Sequence, residues 1–368
     1  MAEEFPYKIV TLPDEENEQI KRDFKGYISG AVKVEPLGYF FQGIYQDYAH
    51  CYYTLPVRST DVFVASYPKC GTTWTQEMVW LLVHNLDYEG AKYSLIDSRT
   101  LELPGIKKLD VQPPEPGKFL DMVRTLPDPR CIKTHMPFSL LTPGILDTCK
   151  MIYVARDPRD VVVSYYHHHR MWVRLGYNGD FKMFFNYFLS DQVTWSPFWS
   201  HVREAWERKD HHNLLIITYE ELKADLSAVT LKVASFLGKL WNHFEFVSVS
   251  LAGKEACGAP AENCLHKGLH DNTEKKLSPT DLTKLVKHLH FDSMKKNPSV
   301  NAEVHATTGY CDAREGGFIR KGKNSMLSNS PDGDCTIVVT LLFFVNRLIS
   351  TSVYYLQKKN KNLNRINI

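Results

Sequence analysis

The run Val62-Phe63-Val64-Ala65-Ser66-Tyr67-Pro68-Lys69-Cys70-Gly71-Thr72-Thr73-Trp74 decides the fold. Its first five residues are β-branched, aromatic or small and read as a short buried strand. A turn containing Pro68 and Gly71 follows, and from Thr75 to Leu86 the apolar positions Met78, Val79, Leu81, Leu82 and Leu86 fit a mostly buried helix. The same order of strand, loop and helix returns twice. Met151-Ile152-Tyr153-Val154 is a strand, Ala155 to Arg159 a loop and Asp160 to Arg170 a helix. Leu214-Leu215-Ile216-Ile217 leads through Tyr219-Glu220-Glu221-Leu222 into a helix reaching Leu237. Short strands alternating with helices predict an α/β fold, a P-loop-like central parallel sheet flanked by helices in a single domain. In such sheets ligands sit at the carboxyl ends of the strands.

The loop after the first strand has the chemistry of an anion site. A helix N-terminus offers unpaired backbone N–H groups and a partial positive charge. Gly71 lets the backbone approach a ligand, the Thr72 and Thr73 hydroxyls add donors, and Lys69 adds a full charge. The plainer reading is a Thr-capped turn with a solvated lysine; the Lys-x-Gly-Thr-Thr cluster at this place in the topology favours the anion. It is not a Walker A loop, which needs G-x-x-x-x-G-K-S/T, because here the lysine precedes the glycine.

Composition bounds what such a site serves. The 368 residues carry 44 Lys+Arg against 42 Asp+Glu, a net charge of +2, so a general nucleic-acid binder is not expected. Aromatic content of 12% excludes intrinsic disorder. The cysteines Cys51, Cys70, Cys131, Cys149, Cys257, Cys264, Cys311 and Cys335 include no C-x-x-C pair and read as reduced thiols. With the acidic Met1-Ala2-Glu3-Glu4 start, this predicts a cytoplasmic protein. The apolar runs Thr336 to Val345 and Leu348 to Leu356 are split by Asn346 and Arg347, and a central Arg costs about 2.5–3.5 kcal/mol on insertion, so membrane attachment is not expected. The rings Tyr39, Phe40, Phe41, Tyr45, Tyr48, Tyr52 and Tyr53 read first as core, with some of them candidates to line a pocket for a flat apolar molecule.

Tyr67 to Trp74 resembles the 5′-phosphosulfate loop of the cytosolic sulfotransferases, which move a sulfonate from 3′-phosphoadenosine 5′-phosphosulfate (PAPS) onto a hydroxyl or amine. Arg156-Asp157-Pro158-Arg159-Asp160-Val161, followed by Ser164, is similar to that family's 3′-phosphate motif. On this resemblance Arg156 forks onto the phosphate and Ser164 donates to it. Cys131-Ile132-Lys133-Thr134-His135 resembles the catalytic segment. It implies His135 as the base that takes the acceptor's proton, with Lys69 and Lys133 steadying charge on the leaving group. The same resemblance implies adenosine contacts for Trp74, Tyr219 and Phe291, backbone contacts for Lys69, Cys70, Gly71, Thr72 and Thr73, and closure over the 3′-phosphate by Arg320, Lys321 and Gly322.

The implied function is sulfonate transfer to a small-molecule acceptor such as a phenol, steroid or other alcohol, with PAPS as co-substrate and no metal. The alternatives are a P-loop-type phosphotransferase and a catalytically impaired nucleotide-binding form. Residues 1–325 form the sulfotransferase-like domain, in which 240–276 is an apparent insertion, and 326–368 is a divergent apolar and basic tail. Cys257, Cys264, His266 and His270 of the insertion do not have zinc spacing, and His167-His168-His169 point in different directions on a helix. After Gly322 the family's Gly-Asp-Trp-Lys segment and short dimerisation motif are replaced by Lys323-Asn324-Ser325-Met326, so a homodimer stays open.

Overall fold

The computed structural model describes residues 4–93, 115–240 and 277–296. The chain opens with strand β1 (Lys8–Thr11), helix α1 (Asp14–Asp23), strands β2 (Ala31–Glu35) and β3 (Tyr39–Gln42) and helix α2 (Tyr45–Tyr53). The run that led the sequence reading forms β4 (Val62–Ala65) and α3 (Thr72–Val83). Then come α4 (Tyr88–Tyr93), α5 (Pro116–Thr125), β5 (Cys131–Thr134), a 3₁₀ turn at Phe138–Leu140, α6 (Ile145–Thr148), β6 (Lys150–Ala155) and α7 (Pro158–Met171). Next are α8 (Phe181–Leu189), α9 (Phe198–Trp206), β7 (Leu214–Thr218), α10 (Tyr219–Ala224) and α11 (Leu226–Phe236), and the described chain ends with α12 (Pro279–Leu289) and α13 (Phe291–Lys296).

Four strands form the expected parallel sheet in the order β5-β4-β6-β7. After β4 the chain adds β5 on one side and then crosses to place β6 on the other. That reversal opens a crevice at the carboxyl ends of the strands. The register brings those ends level, with Ala65 beside both Thr134 and Tyr153, and Ala155 beside Thr218.

Period-two alternation assigns the two faces. Phe63, Ala65, Met151 and Tyr153 pack into a cluster with α2 residues such as Tyr48 and Tyr52. Val62, Val64, Ile152 and Val154 pack on the opposite face with Met78 and Val79 of α3, Val233 of α11 and Leu285 of α12. Because both faces are covered, the strands read as continuous apolar runs rather than alternating ones. A third cluster joins Phe24, Tyr27 and Phe40 to Tyr165, Phe184 and Phe188 of α7 and α8.

At the amino ends of β4 and β5 a buried ion pair fixes the two strands together. Arg130 meets Asp61 through Nε–Oδ1 (2.7 Å) and Nη2–Oδ2 (2.5 Å) and also donates to the carbonyls of Val123 and Pro56. Both side chains are almost fully enclosed. Such a pair holds because each of the three guanidinium nitrogens finds an acceptor.

Three features differ from the sequence reading. Strands β1, β2 and β3 make a separate antiparallel sheet, with Ile9 opposite Val34 and Val34 opposite Tyr39. The helix after β4 begins at Thr72 rather than Thr75, because Gly71 already stands at its N-cap. The helix expected to run to Leu237 divides at Asp225, whose side chain accepts from Ala228 N–H and caps a new helix. The segment 241–276 and residues 297–368, with the apolar tail, lie outside the described residues. No described helix is long and apolar enough to cross a membrane.

Candidate active site

Ser66, His135, Arg156 and Tyr219 each follow directly on a strand of the parallel sheet, so the level strand ends bring them to one crevice. The loop from Ser66 to Gly71 is wound tightly, with Lys69 at φ +69° and Gly71 at φ +104°. A left-handed residue other than glycine costs about 1–2 kcal/mol. Arg156 offsets this at Lys69 by donating from Nη1 to its carbonyl at 2.9 Å. Gly71 is required by both conformation and space. A Cβ there would lie 2.9 Å from Cδ2 of Tyr219 and 3.7 Å from Cγ1 of Val154.

No side chain caps α3, so its leading N–H groups face outward at the positive end of the helix. The threonines divide. Thr72 is buried and its hydroxyl pairs with Ser66 Oγ at 2.5 Å, whereas Thr73 is half-buried at the crevice end. The Cys70 thiol is fully enclosed, and burial raises its pKa, so only its backbone faces the loop. Trp74 donates from its indole N–H to the Leu289 carbonyl at 2.8 Å and meets the Tyr219 ring edge-on at 6.0 Å. That bond brings the end of α12, and hence the start of α13 at Phe291, beside the loop. The side chain of Phe291, and Arg320, Lys321 and Gly322 entirely, lie outside the described residues.

The Arg156 guanidinium stacks on Tyr219, 4.0 Å from the ring centroid, and lies 3.5 Å from Asp160. Its Nε is buried and has no partner among the described residues. A buried guanidinium N–H left unpaired is costly, and an anion in the crevice would satisfy it. Ser164 lies one helical turn beyond Asp160 on α7, half-buried. Asp157 caps α7 by accepting from Arg159 N–H, which leaves Arg159 engaged with Asp157 and exposed.

At the end of β5, Thr134 closes a turn by accepting from Met136 N–H. His135 Nδ1 lies 2.7 Å from the Ser66 carbonyl. A carbonyl can only accept, so Nδ1 carries the proton and Nε2 is the basic nitrogen of the neutral ring. Lys133 is two residues before His135, paired in register with Val64. Lys69 and Lys133 converge electrostatically on His168 of α7. Desolvation first, then Lys69 and other cations including Lys133, hold that imidazole well below its usual pKa.

Lys69, His135 and Arg156 therefore stand together at the carboxyl ends of β4, β5 and β6, where Ser66 holds His135, Tyr219 stacks on Arg156 and Trp74 meets Tyr219. Several residues were missed at the sequence level. Trp195, at φ +77°, faces His135 at 5.8 Å and packs edge-on against Phe41, which stacks on Tyr45 at 4.0 Å. The Tyr45 hydroxyl is buried without a partner among the described residues. Phe41 and Tyr45 fell within the aromatic stretch singled out from the sequence; Trp195 carried no local signal. Ser66 and His201 are ordinary residue types whose place depends on the tertiary fold. Among the described residues, no group of three or more His, Cys, Asp or Glu is arranged to hold a metal ion.

The family model described as "Sulfotransferase domain" matches residues 59–250. Luciferin sulfotransferase of Photinus pyralis is 38% identical over 263 residues, a match that takes in 68% of this chain and 60% of that protein. Sulfotransferase 1C2 of Homo sapiens is 32% identical over 72% of this chain and 75% of its own length. Retinol dehydratase, in a crystal structure with androsterone and inactive cofactor PAP, superposes with a TM-score of 0.74 at 32% identity, covering 93% of this chain and 96% of that one.

Proposed function

This chain belongs to the sulfotransferase family, and from that premise we propose that it transfers a sulfonate from PAPS to the hydroxyl (or amine) of a small apolar acceptor. The observation that carries the proposal is Arg156, which braces the Lys69 carbonyl while its buried Nε has no partner among the described residues. A phosphate presented to the crevice would satisfy that nitrogen. The outward N–H groups of α3 and the Cβ-free approach at Gly71 suit a second anionic group. The residues present therefore fit a doubly anionic nucleotide, and PAP in the retinol dehydratase structure is such a molecule.

In this reading Arg156 and Ser164 hold the 3′-phosphate, with Arg320, Lys321 and Gly322 proposed to close over it. The backbone of Lys69, Cys70, Gly71, Thr72 and Thr73 cradles the 5′ group, and Trp74, Tyr219 and Phe291 flank the adenosine. PAPS supplies an activated sulfonate bonded to a good leaving group. His135 Nε2 takes the acceptor's hydroxyl proton as the new S–O bond forms, and its Nδ1–H stays with the Ser66 carbonyl. The S–O bond to the phosphate breaks in the same displacement. Lys69 and Lys133 stabilise the charge left on that phosphate oxygen. Trp195, Phe41 and Tyr45 offer the acceptor an aromatic wall beside His135.

The test pairs binding with turnover. Titration with adenosine 3′,5′-bisphosphate should raise the melting midpoint, since a ligand at 100 times its Kd adds about 2.7 kcal/mol. Labelled sulfonate from PAPS should then appear on members of a phenol and steroid panel. No midpoint shift with the bisphosphate, or turnover with ATP and Mg²⁺ but none with PAPS, would overturn the reading.

A further inference from the structure

His201 lies on α9, outside every motif that carries the family resemblance, and is fully buried. Its Nε2 is 2.9 Å from the backbone carbonyl of His135, and its Nδ1 is 2.8 Å from the hydroxyl of Tyr153 on β6. The carbonyl accepts only, so the ring proton sits on Nε2 and Nδ1 accepts from Tyr153. The Tyr67 ring, two residues before Lys69, meets the His201 imidazole edge-on at 5.7 Å. Two directed hydrogen bonds thus run from the Tyr153 hydroxyl through His201 to the His135 carbonyl. Burial disfavours the charged form of both side chains, lowering the pKa of His201 and raising that of Tyr153, so each link keeps its direction.

A core histidine needs only some carbonyl and some donor. This one spends one nitrogen on the turn after β5 and the other on Tyr153 of β6, while its ring packs against Tyr67 of the loop after β4. His135 is consequently held twice, by its side chain on Ser66 and by its own backbone on His201. We propose that His201, together with Tyr153, is a positioning residue that fixes the reacting imidazole of His135 against the Lys69 loop. The proposal rests on the reading of His135 as the base.

Misplacing a reacting group by about 1 Å can cost about 10²-fold in rate. His201→Leu should therefore lower kcat about 10- to 100-fold while the KM for PAPS stays within about threefold and the midpoint shift with adenosine 3′,5′-bisphosphate persists. His201→Gln should recover most of the loss, because its amide N–H can reach the same carbonyl. Tyr153→Phe keeps the ring volume and should fall between the two. A folded His201→Leu within about twofold of wild-type kcat would overturn the proposal, as would a His201→Gln no better than His201→Leu. Should His201→Leu fail to fold, Tyr153→Phe decides by the same comparison: a drop in kcat at unchanged KM supports positioning, and wild-type kcat refutes it. His135→Ala, run alongside, separates the two levels. Full turnover in that variant removes the base assignment and this proposal with it; an inactive His135→Ala beside an unimpaired His201→Leu removes positioning alone.

Discussion

Replacing Gly71 by alanine tests the loop at its tightest point. Two costs follow from the structure. The backbone stands at φ +104°, where a residue with a Cβ pays about 1–2 kcal/mol. The new methyl would also lie 2.9 Å from the Tyr219 ring, a distance at which something must move. The ring is the part that can yield, and Arg156 stacks on its face at 4.0 Å. Gly71→Ala should thus lower the melting midpoint by roughly 2–8 °C, taking about 2–4 °C per kcal/mol. It should also weaken the bisphosphate by about tenfold or more, the worth of one charge-assisted hydrogen bond. The measurement is a thermal melt with and without the bisphosphate, repeated in a Tyr219→Ala background. There the steric part should vanish and only the backbone part remain. A Gly71→Ala penalty of equal size in both backgrounds, or no penalty in either, would refute the argument.

His135→Ala should lose about 10²–10⁴ in turnover while still binding adenosine 3′,5′-bisphosphate, read by initial rates and thermal shift. Arg156→Lys keeps the charge but loses the fork and the bond to the Lys69 carbonyl; the bisphosphate should bind about 10- to 100-fold more weakly by calorimetry. Arg130→Met leaves the buried Asp61 carboxylate unpaired and should cost about 3–5 kcal/mol in urea unfolding, with the kcat of the folded fraction unchanged.

Much of the parallel sheet was legible because both of its faces are covered. Val62 to Ala65, Met151 to Ala155 and Leu214 to Thr218 are unbroken apolar or β-branched runs for that reason. The antiparallel sheet was not legible. Tyr39, Phe40 and Phe41 are all buried, so they show no alternation to mark them as the hairpin partner of Ala31–Glu35. Lys69, Gly71 and Arg156 could be found because a phosphate loop is a local pattern of residues near one strand end. Their direct contact, through the Lys69 carbonyl and an 87-residue separation, could not. His201 illustrates the limit. Nothing in the sequence around α9 marks it, since its partners come from β5 and β6.

The indole of Trp74 has a wider implication. Its N–H is answered by Leu289, 215 residues further along the chain. The stretch that matches the family description ends at residue 250, so a fragment cut to those limits would carry the phosphate loop but lose the acceptor for that donor. Stranding a half-sheltered N–H costs about 1–3 kcal/mol, and Leu285 and Leu289, which pack beside Met78 and Val79, would be lost with it. Useful truncations of this protein must therefore be drawn beyond α12, because the segment that carries the signature is not the smallest piece able to stand alone.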